Sequence, residues 1–163
     1  MRIGIGYDVH RLSSRHKLVL GGVEIPSDKG LSGWSDADVL VHAVIDALLG
    51  AAGLGDIGKH FPPGKMQYKE INSLVMLEEV SGMLLEQNLR IVNIDSIIVA
   101  EKPKLADYLE EMCSNMARVL HIPQSRINIK ANTSEEIGFV GRKEGMVSWA
   151  TALLERESDA TNI

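Results

Sequence analysis

The sequence predicts an α/β fold, and three observations lead there. Residues 3–10 alternate with the period of two that a strand requires. Residues 35–50 and 70–88 repeat apolar side chains at helical spacing. Strand-like and helix-like runs then succeed one another along the remainder of the chain instead of segregating, which is the pattern of the α/β class. At 163 residues the chain is long enough for one core and too short for two full domains, so a single domain over 1–163 is expected.

The first strand places Ile3, Ile5, Tyr7 and Val9 on one face and Gly4, Gly6, Asp8 and His10 on the other. The two glycines leave room for something bulky to approach the backbone beside the acid and the imidazole. Leu18 to Ile25 reads as a second strand with Gly21-Gly22 as a bend or bulge inside it, followed by a glycine-rich loop at Gly30 to Gly33. A helix is predicted from Ser35, its N-cap, to Gly50, its stop, with acids in the first turn. Gly53 to Gly64 reads as an exposed, ligand-facing loop or a plain connector. Glu70 to Asn88 repeats Ile71, Leu74, Leu77, Val80 and Leu84 as a helix, and Ile91 to Ala100 reads as a strand with Val92, Ile94 and Ile98 on one face. Pro103 opens a further helix whose buried stripe is Leu105, Leu109, Met112, Met116 and Val119, and Pro123 bars its continuation. Arg126 to Asn132 alternates Ile127, Ile129 and Ala131 against Asn128, Lys130 and Asn132, and Gly145 to Leu154, containing Trp149, is the last strand.

Composition excludes several functions. With 45% hydrophobic and 24% charged residues and no repeat or low-complexity tract, the chain reads as an ordinary soluble globular protein. A net charge of -5 without a long basic run argues against a nucleic-acid groove or an anionic membrane surface as partner. No apolar run reaches the length of a membrane span, and strand pattern starts at Met1-Arg2-Ile3, leaving no room for a signal or transit peptide. Cys113 is the single cysteine and falls in an apolar helical pattern, where a buried, unpaired thiol is expected. A cytoplasmic setting fits these features.

The chemistry concentrates in two segments, Asp8-Val9-His10 and Ser35 to Gly50. Asp38, His42 and Asp46 stack at four-residue spacing, a polar stripe on an otherwise apolar helix. Asp36 reads as a capping-box residue, Asp38 serves the helix start, and Asp46 pairs with a nearby backbone group or base. If Asp8, His10 and His42 meet, one carboxylate and two imidazoles make a three-ligand set that suits Zn²⁺ and leaves a fourth position open, the pattern of catalytic zinc. Taken singly, His42 reads as a satisfied core histidine, and spacing alone leaves both readings open.

Five ordered blocks carry a resemblance: Gly6-Tyr7-Asp8-Val9-His10; Ser35-Asp36-Ala37-Asp38 with His42 through Gly50; Gly55-Asp56-Ile57-Gly58-Lys59-His60-Phe61-Pro62; Pro103-Lys104; and Lys130-Ala131-Asn132-Thr133-Ser134-Glu135 followed by Gly138-Phe139-Val140-Gly141-Arg142. Together, over nearly the whole chain, they resemble the 2-C-methyl-D-erythritol 2,4-cyclodiphosphate synthase family of the non-mevalonate isoprenoid pathway. The resemblance implies a mixed sheet packed against helices, and a homotrimer with its sheets around a central axis and active sites between neighbouring subunits. It implies zinc on Asp8, His10 and His42, and a second divalent ion, Mg²⁺ or Mn²⁺, with Glu135 as its protein ligand. The implied reaction is intramolecular: the 2-phosphate of the substrate attacks the β-phosphate of its own cytidine diphosphate group, releasing CMP and closing a cyclic diphosphate. Two anions must be held in line, so positioning and electrostatic stabilisation supply most of the acceleration.

By the same resemblance Thr133 and the residue at position 34, here Trp34, stabilise the transferring phosphate. Trp34, Ser35, Asp56, Ile57, Gly58, Phe61, Phe139 and Arg142 hold the rest of the substrate. Ala100, Pro103, Lys104, Leu105, Ala106, Ala131, Asn132 and Thr133 bind the nucleotide, contributed by the adjacent chain. Plainer readings stand beside these: Thr133 to Glu136 as a capping box opening a short helix or turn, Pro103-Lys104 as a helix start with a solvated charge, Asp56 as a turn residue. Arg142 is left between a phosphate and an interface carboxylate.

Three positions depart from the family. Trp34 replaces the usual histidine; its indole N–H can donate but cannot become cationic. Pro63-Gly64-Lys65 replaces an acidic stretch, and Trp149 lies near the implied axis where a carboxylate is expected. Trp34 and Pro63 motivate a second reading, a non-catalytic trimer that binds nucleotide or diphosphate ligands. A metallohydrolase using zinc-bound water ranks third, because no base for that water is evident.

Overall fold

In the computed structural model, which describes residues 1–156, the chain runs β1 (Arg2–Ser13), β2 (Leu18–Leu20), β3 (Val23–Ile25), β4 (Gly30–Ser32), α1 (Val39–Ala52), α2 (Ile57–His60), α3 (Ser73–Glu86), β5 (Leu89–Val99), α4 (Leu109–Leu120), β6 (Ile127–Asn132), α5 (Gly138–Gly141) and β7 (Gly145–Arg156). Five strands form one sheet in the order β4-β1-β7-β5-β6. All neighbours are antiparallel except β5 and β6, so the sheet is mixed. A single-domain α/β fold results, with α1, α3 and α4 packed together on one face of the sheet.

The glycine face of β1 explains how the helical layer is seated. A Cβ on Gly6 would run into the Ala43 carbonyl oxygen, and one on Gly4 into that of Ala47. The bulky object that these glycines admit is therefore α1 itself, lying with its backbone directly on the strand. This helix is buried almost all round, with Leu40, Ile45, Leu48 and Leu49 wholly excluded from water, each contributing about 1.5–3 kcal/mol.

Element boundaries shift where local polar chemistry competes with periodicity. α1 begins after Asp38, not Ser35, because Ser35 Oγ and Asp36 Oδ1 accept the Ala37 and Asp38 amides and Ala37 is left-handed (φ 56°). Asp38 is the N-cap, accepting from the Val41 amide at 3.1 Å, and the helix runs through Gly50 to a left-handed C-cap at Gly53. Residues 18–25 are a hairpin and not one bent strand, with Gly21 and Gly22 both at positive φ in its two-residue turn. The expected loop at Gly30 is the edge strand β4, and the expected connector after Gly53 contains α2, capped by Asp56. In β5 a bulge between Ile91 and Asn93 changes the phase, so Ile91 and Ile94 are buried and Val92 only half so. Pro103 closes a bend, a 3₁₀ turn follows at Ala106–Tyr108, and α4 starts at Leu109. The capping box read at Thr133 to Glu136 does not form: a turn closes there from the Ile137 amide to the Ser134 carbonyl, and α5 follows without a capping side chain.

Candidate metal centre and adjoining cavities

β1 presents Asp8 and His10 towards α1, and the glycine seat brings His42, one turn into that helix, against them. Asp8 Oδ2 lies 2.9 Å from His10 Nε2 and 2.9 Å from His42 Nδ1, and the two ring nitrogens are 3.1 Å apart. Ligand atoms around a tetrahedral zinc at about 2.0–2.1 Å would be roughly 3.3 Å from one another, so this triangle matches one face of such a site. Among the described residues it is the one cluster of three potential metal ligands.

The surroundings decide what the triangle is for. His10 Nδ1–H donates to the Ser32 carbonyl of β4 at 3.0 Å. His42 Nε2–H donates to Ser73 Oγ at 2.9 Å, with Ser35 Oγ at 3.1 Å, while Ser73 Oγ–H in turn donates to Asp36. Each imidazole thus spends its N–H on an outer partner and turns a lone pair inward, beside a carboxylate oxygen. Three electron-pair donors at this spacing suit a cation between them, and the donor set fits zinc. Burial acts to raise the Asp8 carboxyl, but its hydrogen-bonding and electrostatic contacts with the His10 and His42 rings hold it well below the usual carboxylate range. Burial lowers the His10 imidazole, and the Asp8 hydrogen bond and charge outweigh this to leave it raised.

Asp36 is more than the capping residue the sequence suggests. Besides Ser73 Oγ it accepts the Ser73 amide at 2.8 Å, tying the start of α3 to the start of α1 and orienting His42 through Ser73. Nothing in sequence spacing marks Ser73 or Ser32, which come from separate elements. Asp38 is completely buried, and accepts the Gly22 amide of the hairpin at 2.8 Å. Desolvation, with the nearby Asp36 charge, pushes its carboxyl up to about 6. Asp46 accepts the Ile57 amide at 2.7 Å, the backbone pairing expected of it, and so positions α2.

A cavity of about 280 Å³ opens beside the triangle and collects Trp34, Ser35, Ile57, Gly58, Phe61 and Pro63 around Asp8, His10 and His42. Asp56 stays outside its lining and caps α2 through the Lys59 amide at 3.0 Å. The Trp34 N–H donates to the Lys65 carbonyl at 3.0 Å, and the Glu70 amide donates to the Trp34 carbonyl at 2.8 Å. The indole therefore staples the segment after Phe61 instead of offering a free donor.

A second cavity, of about 250 Å³, gathers all eight residues read as the nucleotide set: Ala100, Pro103, Lys104, Leu105, Ala106, Ala131, Asn132 and Thr133. Thr133 Oγ1–H donates to Glu135 Oε1 at 3.1 Å on its exposed rim. Glu101, absent from the sequence reading, also lines this cavity. Bonds from the Ser134 amide and hydroxyl and the Glu136 amide hold its carboxyl below the ordinary value. Phe139 and Arg142 lie outside both linings, and Arg142 pairs with Glu144 at 2.8 Å. Register puts Asp8, Ser148, Ile98 and Ala131 in one row across β1, β7, β5 and β6. Three strand spacings, about 14 Å, thus separate the two cavities within one chain.

The chain is similar over nearly its whole length to known proteins. The model of the YgbB family matches residues 1–155. The 2-C-methyl-D-erythritol 2,4-cyclodiphosphate synthase of Dehalococcoides mccartyi strain CBDB1 is 58% identical over 157 residues, 96% of this chain and 100% of that protein. The synthase of that name from Syntrophomonas wolfei is 54% identical over 96% of this chain and 99% of its own length. Among solved structures, the bifunctional IspDF of Campylobacter jejuni superposes with a TM-score of 0.91 at 42% identity, covering 95% of this chain and 42% of that one. A Plasmodium falciparum IspF in complex with CDP superposes with a TM-score of 0.85 at 32% identity, covering 96% and 97%. Matched by its model almost end to end, and by curated synthases more than half identical to it, the chain belongs to the YgbB family.

Proposed function

We propose that the chain converts 4-diphosphocytidyl-2-C-methyl-D-erythritol 2-phosphate to 2-C-methyl-D-erythritol 2,4-cyclodiphosphate and CMP, as a phosphorus–oxygen lyase of non-mevalonate isoprenoid biosynthesis. The observation that carries this reading is the Asp8, His10 and His42 triangle at the wall of the Trp34 to Pro63 cavity. Zinc bound there supplies a Lewis acid for phosphate oxygens. Asp8, His10 and His42 would hold it, and Ser32, Ser73 and Asp36 fix the two imidazoles in the tautomers that ligation needs.

The chain's other residues position a flexible, multiply charged substrate. Ser35, Ile57, Gly58 and Phe61 enclose the methylerythritol portion, with Asp56 and Asp46 setting α2 for the purpose. Ala100 to Ala106 and Ala131 to Thr133 cradle the nucleotide, Thr133 offers a hydroxyl to the transferring phosphate, and Glu135, bonded to Thr133 on the cavity's rim, would offer a carboxylate to Mg²⁺ or Mn²⁺. No side-chain base is required, because the attacking phosphate oxygen is already ionised.

The site belongs to a homotrimer in this reading. The sheet face away from the helices carries Ile3 and Ile5, 76% and 70% exposed, with Val9 and the Tyr7–Trp149 pair, an apolar surface of the kind that another subunit covers. With 14 Å or so between the cavities of one chain, a neighbouring copy supplies the nucleotide half. The buried, unpaired thiol of Cys113 suits a cytoplasmic setting.

The test is incubation of purified protein with the cytidine diphosphate substrate and Mg²⁺, followed by ³¹P NMR. Equimolar CMP and cyclic diphosphate support the proposal. Substrate binding without turnover supports the non-catalytic alternative motivated by Trp34, and linear phosphate products support zinc-water hydrolysis.

A further inference from the structure

The turn after β6 is built on two successive left-handed residues, Glu135 (φ 53°) and Glu136 (φ 62°), neither of them glycine. That conformation crowds Cβ against the backbone, so it persists only where the surroundings hold it. One carboxylate does so. Glu101 Oε1 accepts the Ser134 amide at 2.9 Å, the Ser134 hydroxyl at 2.9 Å and the Glu136 amide at 3.3 Å, bracketing Glu135 on both sides. From the opposite side Gly141 of α5 presses on the turn so closely that a Cβ there would overlap the Glu136 carbonyl. Glu101 itself stands two residues beyond β5, among the nucleotide-cavity residues Ala100, Pro103 and Lys104. The chain thus links the floor of that cavity to the turn on its rim through one side chain.

We propose that Glu101 is a positioning residue, which fixes the Ser134–Glu136 turn and thereby sets the Thr133 hydroxyl and the Glu135 carboxylate at the phosphate end of the nucleotide cavity. The inference deepens the reading of Glu135 as a ligand of the second divalent ion, and rests on it. Glutamine at position 101 keeps an oxygen able to accept the same three bonds. Alanine takes the acceptor from the Ser134 and Glu136 amides, while the Ser134 hydroxyl keeps the Ile137 carbonyl at 2.9 Å, and the turn is released.

The experiment compares Glu101→Ala, Glu101→Gln and Glu135→Gln in the full chain. Hydrogen exchange on the ligand-free protein reads the turn directly, and Mg²⁺ titration of turnover reads its consequence. Glu101→Ala is expected to speed exchange at Ser134 and Glu136 and to raise the Mg²⁺ concentration for half-maximal turnover about tenfold or more, the usual cost of losing an outer partner of a metal ligand. Glu101→Gln is expected to restore both to near wild type. Unchanged exchange in Glu101→Ala overturns the proposal, as does faster exchange with an unchanged Mg²⁺ requirement while Glu135→Gln raises that requirement. If Glu135→Gln leaves the requirement unaltered, the metal reading of Glu135 fails instead. The positioning of Thr133 is then decided by CDP binding measured without divalent ion: weakening by Glu101→Ala upholds it, and wild-type affinity overturns it.

Discussion

His42 shows how one side chain is oriented for the ligand role proposed for it. Its Nδ1 faces Asp8 because Nε2 is occupied by Ser73, which Asp36 orients from the start of another helix. His42→Ala is expected to abolish stoichiometric zinc and turnover together while helicity persists, since alanine suits a helix interior; zinc retained at one ion per chain would remove His42 from the ligand set. The residues of the triangle were legible in sequence because period two and period four each leave a polar stripe on an apolar element. Ser32 and Ser73 were not, since an outer partner needs only an oxygen at the right place and serine occurs anywhere. Trp34 is where residue type and geometry diverge. The sequence offers an indole donor to phosphate, whereas the N–H is spent on the Lys65 carbonyl. Trp34→Phe keeps the ring and loses that bond, worth about 1 kcal/mol or some fivefold. A higher KM with little change in kcat is therefore expected from steady-state kinetics, whereas a fall in kcat at constant KM would make the N–H a transition-state donor after all.

At the scale of elements, strand and helix types followed the hydrophobic period, and the departures came from short side chains that capture backbone amides, from the Gly21-Gly22 turn and from the bulge in β5. The start of α1 is the clearest case, where Ser35 and Asp36 each take an amide that a helix would otherwise use and delay the first turn to Asp38. Seating this helix on β1 depends on Gly6. Gly6→Ala must push the Ala43 backbone away from the strand, an overpacking cost of about 1–3 kcal/mol. Denaturant unfolding should register that loss, and zinc content should fall with it, because His42 rides on the displaced helix; full zinc occupancy at wild-type stability would contradict the close packing. The buried cap has a pH signature. Unfolded Asp38 ionises near 3.8 and folded Asp38 near 6, so between these values the native state binds more protons and stability falls as pH rises. The contribution is fully present below pH 3.8 and amounts to about 3 kcal/mol across the window. Asp38→Asn keeps a cap oxygen without the charge, so unfolding curves of chelator-treated protein should show the variant losing less stability than wild type from pH 4 to 7. Parallel curves would mean that the hairpin amides already satisfy the carboxylate.

Over the whole molecule, one sheet separates two unlike surfaces. Its helical side closes the core and builds the metal triangle, while its other side leaves Ile3, Ile5, Tyr7, Val9 and Trp149 in water on the isolated chain. The alternation that turns Asp8 and His10 towards α1 is the same alternation that puts those apolar residues on the opposite face. Sequence shows that the two sets are opposed, but it does not show which face the helices take, because that depends on Gly4 and Gly6 meeting α1 and not solvent. Ile5 is the residue with which to test assembly, since it touches neither cavity lining. If that face is the proposed trimer contact, Ile5→Glu replaces burial worth up to about 3 kcal/mol per chain with a carboxylate brought near its symmetry mates, weakening association by on the order of a hundredfold or more. Sedimentation velocity should then report monomers. The Asp8, His10 and His42 site, contained within one chain, should still hold zinc, whereas turnover should be lost and recover as protein concentration is raised far enough to drive reassembly. A monomer with undiminished turnover would place both halves of the active site on one chain, and an intact trimer would mean that the apolar sheet face is not the subunit contact.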